Sequence, residues 1–422
     1  MSVLERISTA LPQGTAFVGA GTAVLGVASY VHLAAAGHTL SVDQMASFSV
    51  LWTVVFSIGL GLFFPVEQEI TRIVAARVVR GDGARPALRR GAALSFGLLL
   101  VVLLPLALFR QQIAEAFFNG DDRLVLALGG AFTALAVAHV TRGVLAGLGE
   151  FRTYGVQLGL DGLLRILLSA ALAVAGVESG FAFALVLTAA PLMAVAATIR
   201  PVFRRSLPGP VTRWSELVQH LGLLVGSTLL AQLMVNIAVI STKLIATNED
   251  ELVTALLAAL VLARVPLFVF GAFQVSLLAG LASTAAEGDA AGYRRLLLRA
   301  AGVTAGLGAA GGLGAVALGP ALLPAVFGAP DILGPADFAW LALGTTAYML
   351  AMVLGQALLT SGGARQQLLC WVVGTAVLVA VTFSTLALRS KVEIAYAAGS
   401  LAVAVCMSLA LRSRVAYRAV SV

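Results

Sequence analysis

Charge is what this chain has least of. Only 11% of its 422 residues are Asp, Glu, Lys or Arg, against about 25% in soluble globular domains. Hydrophobic residues make up 60%, and the mean hydropathy is +0.99. That composition excludes an ordinary water-soluble domain and points to a chain solvated by lipid. Lysine is nearly absent: Lys243 and Lys391 are the only two among 27 cations, the rest being Arg. Cysteine is limited to Cys370 and Cys406, both inside apolar runs. A disulfide framework is therefore unsupported, and both are expected to pack as small hydrophobes. Polar interruptions reach little more than about a dozen residues, too short for an independent domain. A glycine-rich loop ending in Gly-Lys-Ser or Gly-Lys-Thr is missing, so ATP use by this chain is unsupported. Gly19-Ala-Gly21 and the glycines of 306–314 lie inside apolar helices with no βαβ unit, and they read as helix-packing positions.

What is present is a succession of apolar runs long enough to cross a ~30 Å hydrocarbon slab. Twelve are expected: 13–36, 45–67, 88–109, 124–147, 153–177, 180–199, 217–246, 252–282, 296–318, 338–360, 366–388 and 392–411. The first is too long for the apolar core of a signal peptide, which runs to ~7–15 residues, and is expected to be a retained spanning helix.

The net charge of +7 and a pI near 10.0 would suggest nucleic acid in a soluble protein, but here the cations sort by side. Six Arg (Arg72, Arg77, Arg80, Arg85, Arg89 and Arg90) stand between the second and third spans. Arg6, Arg142, Arg152, Arg200, Arg204, Arg205, Arg213, Arg294, Arg295, Arg299, Arg365, Arg412, Arg414 and Arg418 fall on the same face. Arg110, Arg123, Arg389 and Lys391 fall on the other. By the positive-inside rule the Arg-rich face and both termini are cytoplasmic, in a multi-pass protein of the cell membrane. The expected partner of the surface is the lipid bilayer, not nucleic acid. The run 72–90 serves topology and contact with anionic lipid.

Three cations are left inside spans: Arg165, Lys243 and Arg264. Arg264 lies about twelve residues into its run, roughly 18 Å deep, with Leu260, Val261, Leu267 and Phe268 as its helical neighbours. None can pair with a guanidinium, and a central Arg costs roughly 2.5–3.5 kcal/mol, so a wet cavity or an anionic partner is expected. Arg165 has Asp161 four residues earlier, the spacing of an intrahelical ion pair. Asp161 is the one acid expected deep in a span. Lys243 stands near the end of its span and can extend to the headgroups. Arg142 lies five residues inside the Arg-rich end, with His139 one turn away on the same face. Glu67 and Glu69 stand at the end of the second span, Glu69 with Arg72 at i,i+3. The glycine pairs Gly143/Gly147, Gly155/Gly159 and Gly222/Gly226 read as close helix contacts.

The chain echoes itself at half its length. Gly81-Asp82 followed by Arg89-Arg90 resembles Gly288-Asp289 followed by Arg294-Arg295, and Gly149-Glu150-Phe151-Arg152 resembles Gly362-Gly363-Ala364-Arg365. Two six-helix lobes of equal orientation follow, residues 1–205 and 206–422, with a pseudo-twofold axis along the membrane normal and a substrate site between them.

The segments Phe64-Pro-Val-Glu-Gln-Glu-Ile-Thr-Arg72 with Arg80-Gly-Asp-Gly, Arg142-Gly-Val-Leu-Ala-Gly-Leu-Gly-Glu-Phe-Arg-Thr-Tyr154, and Leu359-Thr-Ser-Gly-Gly-Ala-Arg365 carry a resemblance. They resemble the polysaccharide flippases of the multidrug/oligosaccharidyl-lipid/polysaccharide exporter superfamily. The resemblance implies an all-α V-shaped bundle of twelve transmembrane helices that moves polyprenyl-pyrophosphate-linked sugars from the inner to the outer leaflet. It implies no enzyme activity and no cofactor, a monomer, and other glycan-assembly membrane proteins as further partners. On this reading Arg264, Arg165, Lys243 and Arg142 bind the substrate diphosphate. Asp161 and His139 are the candidates for coupling and protonation, with proton or sodium left open. Two alternatives stand beside it: a cation-coupled multidrug or toxin exporter of the same fold, and a membrane glycan polymerase or acyltransferase.

Overall fold

The computed structural model describes residues 15–218, 221–245, 250–263, 265–267, 270, 290–386 and 388–420, and they are almost entirely helical. Arg264 lies outside the described residues, as do the side chain of Lys243 and the Gly288-Asp289 half of one internal echo. The chain divides into two compact units, Met1–Thr228 and Leu229–Val422. Ten helices among the described residues are long and apolar enough to cross a membrane. They coincide with ten of the twelve expected spans; the seventh and eighth fall where the description is partial.

In the first unit, α1 (Thr15–Thr39) is followed by α2 (Val42–Val54), which continues through a π-helical turn, Val55–Gly59, into α3 (Leu60–Val79). The Ser57 hydroxyl donates to the Thr53 carbonyl at 2.6 Å within that turn, a local departure from α geometry of the kind often found at functional sites. Then come α4 (Arg85–Leu108), the short α5 (Arg110–Phe117), α6 (Asp122–Gly147), α7 (Phe151–Val174) and α8 (Gly180–Arg205). After the brief α9 (Trp214–Val218), α10 (Leu221–Ile245) leads into the second unit. That unit holds α11 (Asp250–Ala263), α12 (Ala290–Phe327), α13 (Pro335–Thr360), α14 (Ala364–Thr382) and α15 (Leu388–Val420).

The sequence sets how closely these helices pack. α6 lies in the middle of the first unit, against α3, α4 and α8, while α1 pairs with α7. Small residues make both approaches possible. A Cβ on Gly143 would meet the Glu67 carbonyl at 2.8 Å, and one on Gly147 would meet Val74 Cβ at 2.6 Å. On α1 and α7, a Cβ on Gly162 would meet Leu25 Cα at 2.9 Å, and Gly21 and Gly155 would collide with each other's helix. Gly222, expected at a similar contact, has nothing within 4 Å. Between α3 and α6 the gap is filled by Val66, Ile70, Ile73, Val74, Val140, Val144 and Leu145, all buried.

The second unit repeats this scheme. α13 packs on α11, α12 and α15 as α6 packs on α3, α4 and α8, and α14 packs on α15 as α7 does on α8. The connections repeat as well. α6 ends with Gly149 N–H bonded to the Ala146 carbonyl and Glu150 N–H to that of Leu145, while α13 ends with Gly362 N–H on Leu359 and Gly363 N–H on Leu358. Gly149 and Gly362 sit at φ +75° and +79°, the left-handed region that favours glycine in a Schellman cap. One of the two sequence echoes is thus the same turn built twice.

Arg77 departs from its expected place among the solvated cations. It is buried, and its Nη1 donates to the carbonyls of Gly83 (3.2 Å) and Pro210 (2.7 Å). Arg85 Nε donates to the Ser206 carbonyl at 3.1 Å, and its backbone N–H to that of Leu207 at 3.0 Å. These bonds tie the segment after α8 to the loop between α3 and α4.

Candidate functional site

One face of α7 carries Tyr154, Gln157, Asp161, Arg165 and Ser169, at successive offsets of three, seven, eleven and fifteen residues. That spacing keeps them in a single stripe along the helix, and the last four are buried. Fifteen residues at 1.5 Å each make the stripe roughly 22 Å long. In an apolar helix such a stripe needs partners, because an unbonded buried polar group costs about 1–3 kcal/mol.

α6 and α3 supply them. Arg142 Nη2 donates to Asp161 Oδ2 at 2.9 Å, and Arg165 Nη2 donates to Asp161 Oδ1 at 3.1 Å. Asp161, Arg142 and Arg165 are 2%, 5% and 4% exposed. The ion pair expected from the i,i+4 spacing is present, and a second guanidinium joins it from α6. Arg142, counted with the cations of the Arg-rich face, is therefore inside the bundle. Two guanidiniums on one carboxylate leave a formal excess of one positive charge. Arg165 Nε and Nη1 and Arg142 Nε have no hydrogen-bond partner among the described residues. The Phe56 ring, from the π-helical turn, lies 5.7 Å from the Arg165 guanidinium carbon, within reach of a cation–π contact.

A second group adjoins the first one helical turn away. His139 Nδ1 lies 2.6 Å from Glu67 Oε2, and the Tyr154 hydroxyl donates to Glu67 Oε1 at 2.7 Å. Gln157 Nε2 donates to Thr141 Oγ1 at 2.9 Å, while Gln157 Oε1 has no partner. Farther along α7, the Ser169 hydroxyl donates to the Arg165 carbonyl at 2.7 Å and lies 2.6 Å from His32 Nδ1 on α1. His139 thus bonds a neighbouring helix, and Glu67, expected at the end of its span, is an inner residue because α3 continues to Val79. Glu69 keeps the expected partner, Arg72, at 2.7 Å.

The second unit gathers two carboxyl groups around one guanidinium. The Arg389 guanidinium makes a bidentate contact with Asp337, and Glu393 Oε1 lies 3.9 Å from Arg389 Nε. Glu393 is buried beside this pair. The sequence reading missed this group, which stands at the starts of α13 and α15. Only the i,i+4 spacing of Arg389 and Glu393 was there to signal it.

Chemically, the first unit offers a buried polar track that ends in underused guanidinium donors. These suit a phosphate-like acceptor, for which Arg provides paired N–H groups. The structure brings Arg142, Asp161, Arg165 and His139 together; it does not describe the side chains of Lys243 or Arg264.

No protein-family model matches the chain. An uncharacterized protein of Mycobacterium bovis is 27% identical over 395 residues, covering 91% of this chain and 88% of its own length. An uncharacterized protein of Mycobacterium tuberculosis is 27% identical over 392 residues, covering 87% and 86%. Among solved structures, an inward-facing multidrug resistance MATE transporter of the MOP superfamily superposes with a TM-score of 0.71 at 15% identity, over 94% of this chain and 95% of that one. The MATE transporter VcmN of Vibrio cholerae gives 0.71 at 16% identity over 95% and 96%. A MOP transporter of Pyrococcus furiosus, described by a reversed polarity of its binding pocket that suggests a different function, gives 0.73 at 15% over 96% and 95%. The fold of this chain is that of the MATE transporters of the MOP superfamily.

Proposed function

We propose that the protein is a flippase for polyprenyl-pyrophosphate-linked oligosaccharide, carrying it from the inner to the outer leaflet by alternating access. The observation that carries this reading is the sharing of Asp161 by Arg142 and Arg165, with three guanidinium nitrogens left without acceptors among the described residues. A diphosphate replaces Asp161 as acceptor during passage, and the carboxylate takes the guanidiniums back on release. Arg264 and Lys243, assigned to spans from the sequence alone, are the further candidates for contacting the diphosphate. Asp161, with His139 on Glu67, is the coupling element: protonation of Asp161 frees both Arg side chains for cargo.

The test is delivery of lipid-linked oligosaccharide in a deletion strain carrying wild-type or variant protein. Arg165→Ala and Arg264→Ala are expected to stop outward delivery while membrane insertion stays normal. Wild-type delivery by both variants would remove the mechanism. The buried carboxylates Glu67 and Asp161 favour a second reading, a cation-coupled drug exporter. Drug efflux lost on deletion, with no build-up of lipid-linked sugar, would establish that reading instead.

A further inference from the structure

Away from the buried track, on the outer side of the first unit, α4, α6 and α8 enclose a groove of about 630 Å³. Its walls are apolar, with Phe96 and Leu99 from α4, Val137 and Val140 from α6, and Phe203 from α8. Phe96 and Phe203 are exposed. From Arg85 to Leu99 the groove follows fourteen residues of α4, roughly 21 Å, which exceeds one leaflet's share (about 15 Å) of the hydrocarbon core.

One end differs chemically. Arg85 and Arg89 stand one turn apart on α4, a like-charge spacing that repels unless an anion lies between. Neither has a carboxylate partner among the described residues: Arg85 donates to the Ser206 carbonyl at 3.1 Å, and Arg89 has no partner there at all. Beside them Ser206, 1% exposed, borders the groove with a hydroxyl that has no hydrogen-bond partner among the described residues. The other hydroxyls on the walls are already engaged, Ser95 with the Ala136 carbonyl and Thr141 with Gln157. Unclaimed polar capacity is therefore concentrated at the Arg-rich end, beside the N-terminus of α4, where the helix dipole also favours an anion.

We propose that this groove receives the isoprenoid chain of the lipid-linked substrate, with its diphosphate between Arg85, Arg89 and Ser206, before the headgroup enters the transport path. At ~30 Å³ per water-sized group the groove has room for about twenty such groups, or about four isoprene units of the chain. Two guanidiniums a turn apart match a diphosphate better than one phosphodiester. The wall toward the unit's interior is α6, where Thr141 faces the groove and the next residue, Arg142, holds Asp161. The inference rests on the flippase reading above.

The test uses purified full-length protein in phosphatidylcholine nanodiscs with radiolabelled farnesyl diphosphate as probe. Wild type is expected to bind saturably, with farnesol at least tenfold weaker and phosphatidylglycerol failing to displace the probe. R85A/R89A should weaken binding tenfold or more. Because Arg85 also supports the loop, A92W, which fills the groove and leaves both Arg in place, should do the same. Absence of wild-type binding, full binding by both variants, or displacement by phosphatidylglycerol at equal mole fraction would overturn the proposal, the last assigning the groove to an ordinary membrane phospholipid. Binding is read without transport, so its failure is separate from the outcome of the deletion-strain assay.

Discussion

Asp161 is the residue on which the first unit's electrostatics turn. Removing its charge with Asp161→Asn leaves Arg142 and Arg165 buried without an anion, and breaking a buried pair in this way costs about 3–5 kcal/mol. The expected outcome is a lower thermal midpoint in detergent. Pyrophosphate should raise the variant's midpoint more than that of wild type, because the added anion takes the vacated place; equal shifts would separate Asp161 from any anion site. At this scale the sequence was partly legible. Asp161–Arg165 was visible as an i,i+4 pair, and the polar stripe from Tyr154 to Ser169 is written in the spacing of α7. The approach of Arg142 was not visible, because which face of α6 meets α7 depends on helix packing that a local spacing does not encode. Glu67 was assigned to a span end for a related reason: charge marks where an apolar run stops, but α3 carries its helix, and Glu67 with it, on to Val79.

Among the elements, glycine decides which helices touch. Gly162 sets the approach of α1 to α7, where any Cβ would lie 2.9 Å from the Leu25 backbone. Gly162→Leu is expected to separate these helices and give aggregated protein on size-exclusion chromatography. Gly97, on the outer face of α4 with nothing within 4 Å, makes the contrast. Gly97→Ala should leave assembly unchanged and stabilise the helix by up to about 1 kcal/mol, read as an equal or higher thermal midpoint. The glycine spacings 143/147 and 155/159 pointed to close contacts, and those helices do approach closely there. The π-helical turn at Val55–Gly59 had no sequence signature; it is a register shift whose outcome depends on neighbouring helices.

For the molecule as a whole, the ten spanning helices among the described residues and the repeated packing scheme were readable because hydropathy and loop punctuation are nearly the only signals a lipid-solvated chain needs. The Arg count predicts an orientation that is open to a direct test. With Cys370 and Cys406 replaced, Gln112→Cys is expected to react with an impermeant maleimide added to intact cells, and Asp82→Cys only after permeabilisation. The opposite pattern would invert the assignment of sides. The two clusters, two guanidiniums around Asp161 and two carboxyl groups around Arg389, were hidden because each depends on side chains brought together from separate helices.

The bonds from Arg77 and Arg85 to Ser206, Leu207 and Pro210 determine where this polypeptide tolerates being severed. A break directly after Arg205 would strip the first fragment of the strap that closes its loop. One placed after Arg213 keeps the strap with its anchors. Two co-expressed pieces divided at the later point should reassemble and be recovered together by affinity capture, whereas pieces divided at the earlier point should yield a first fragment that is rapidly degraded.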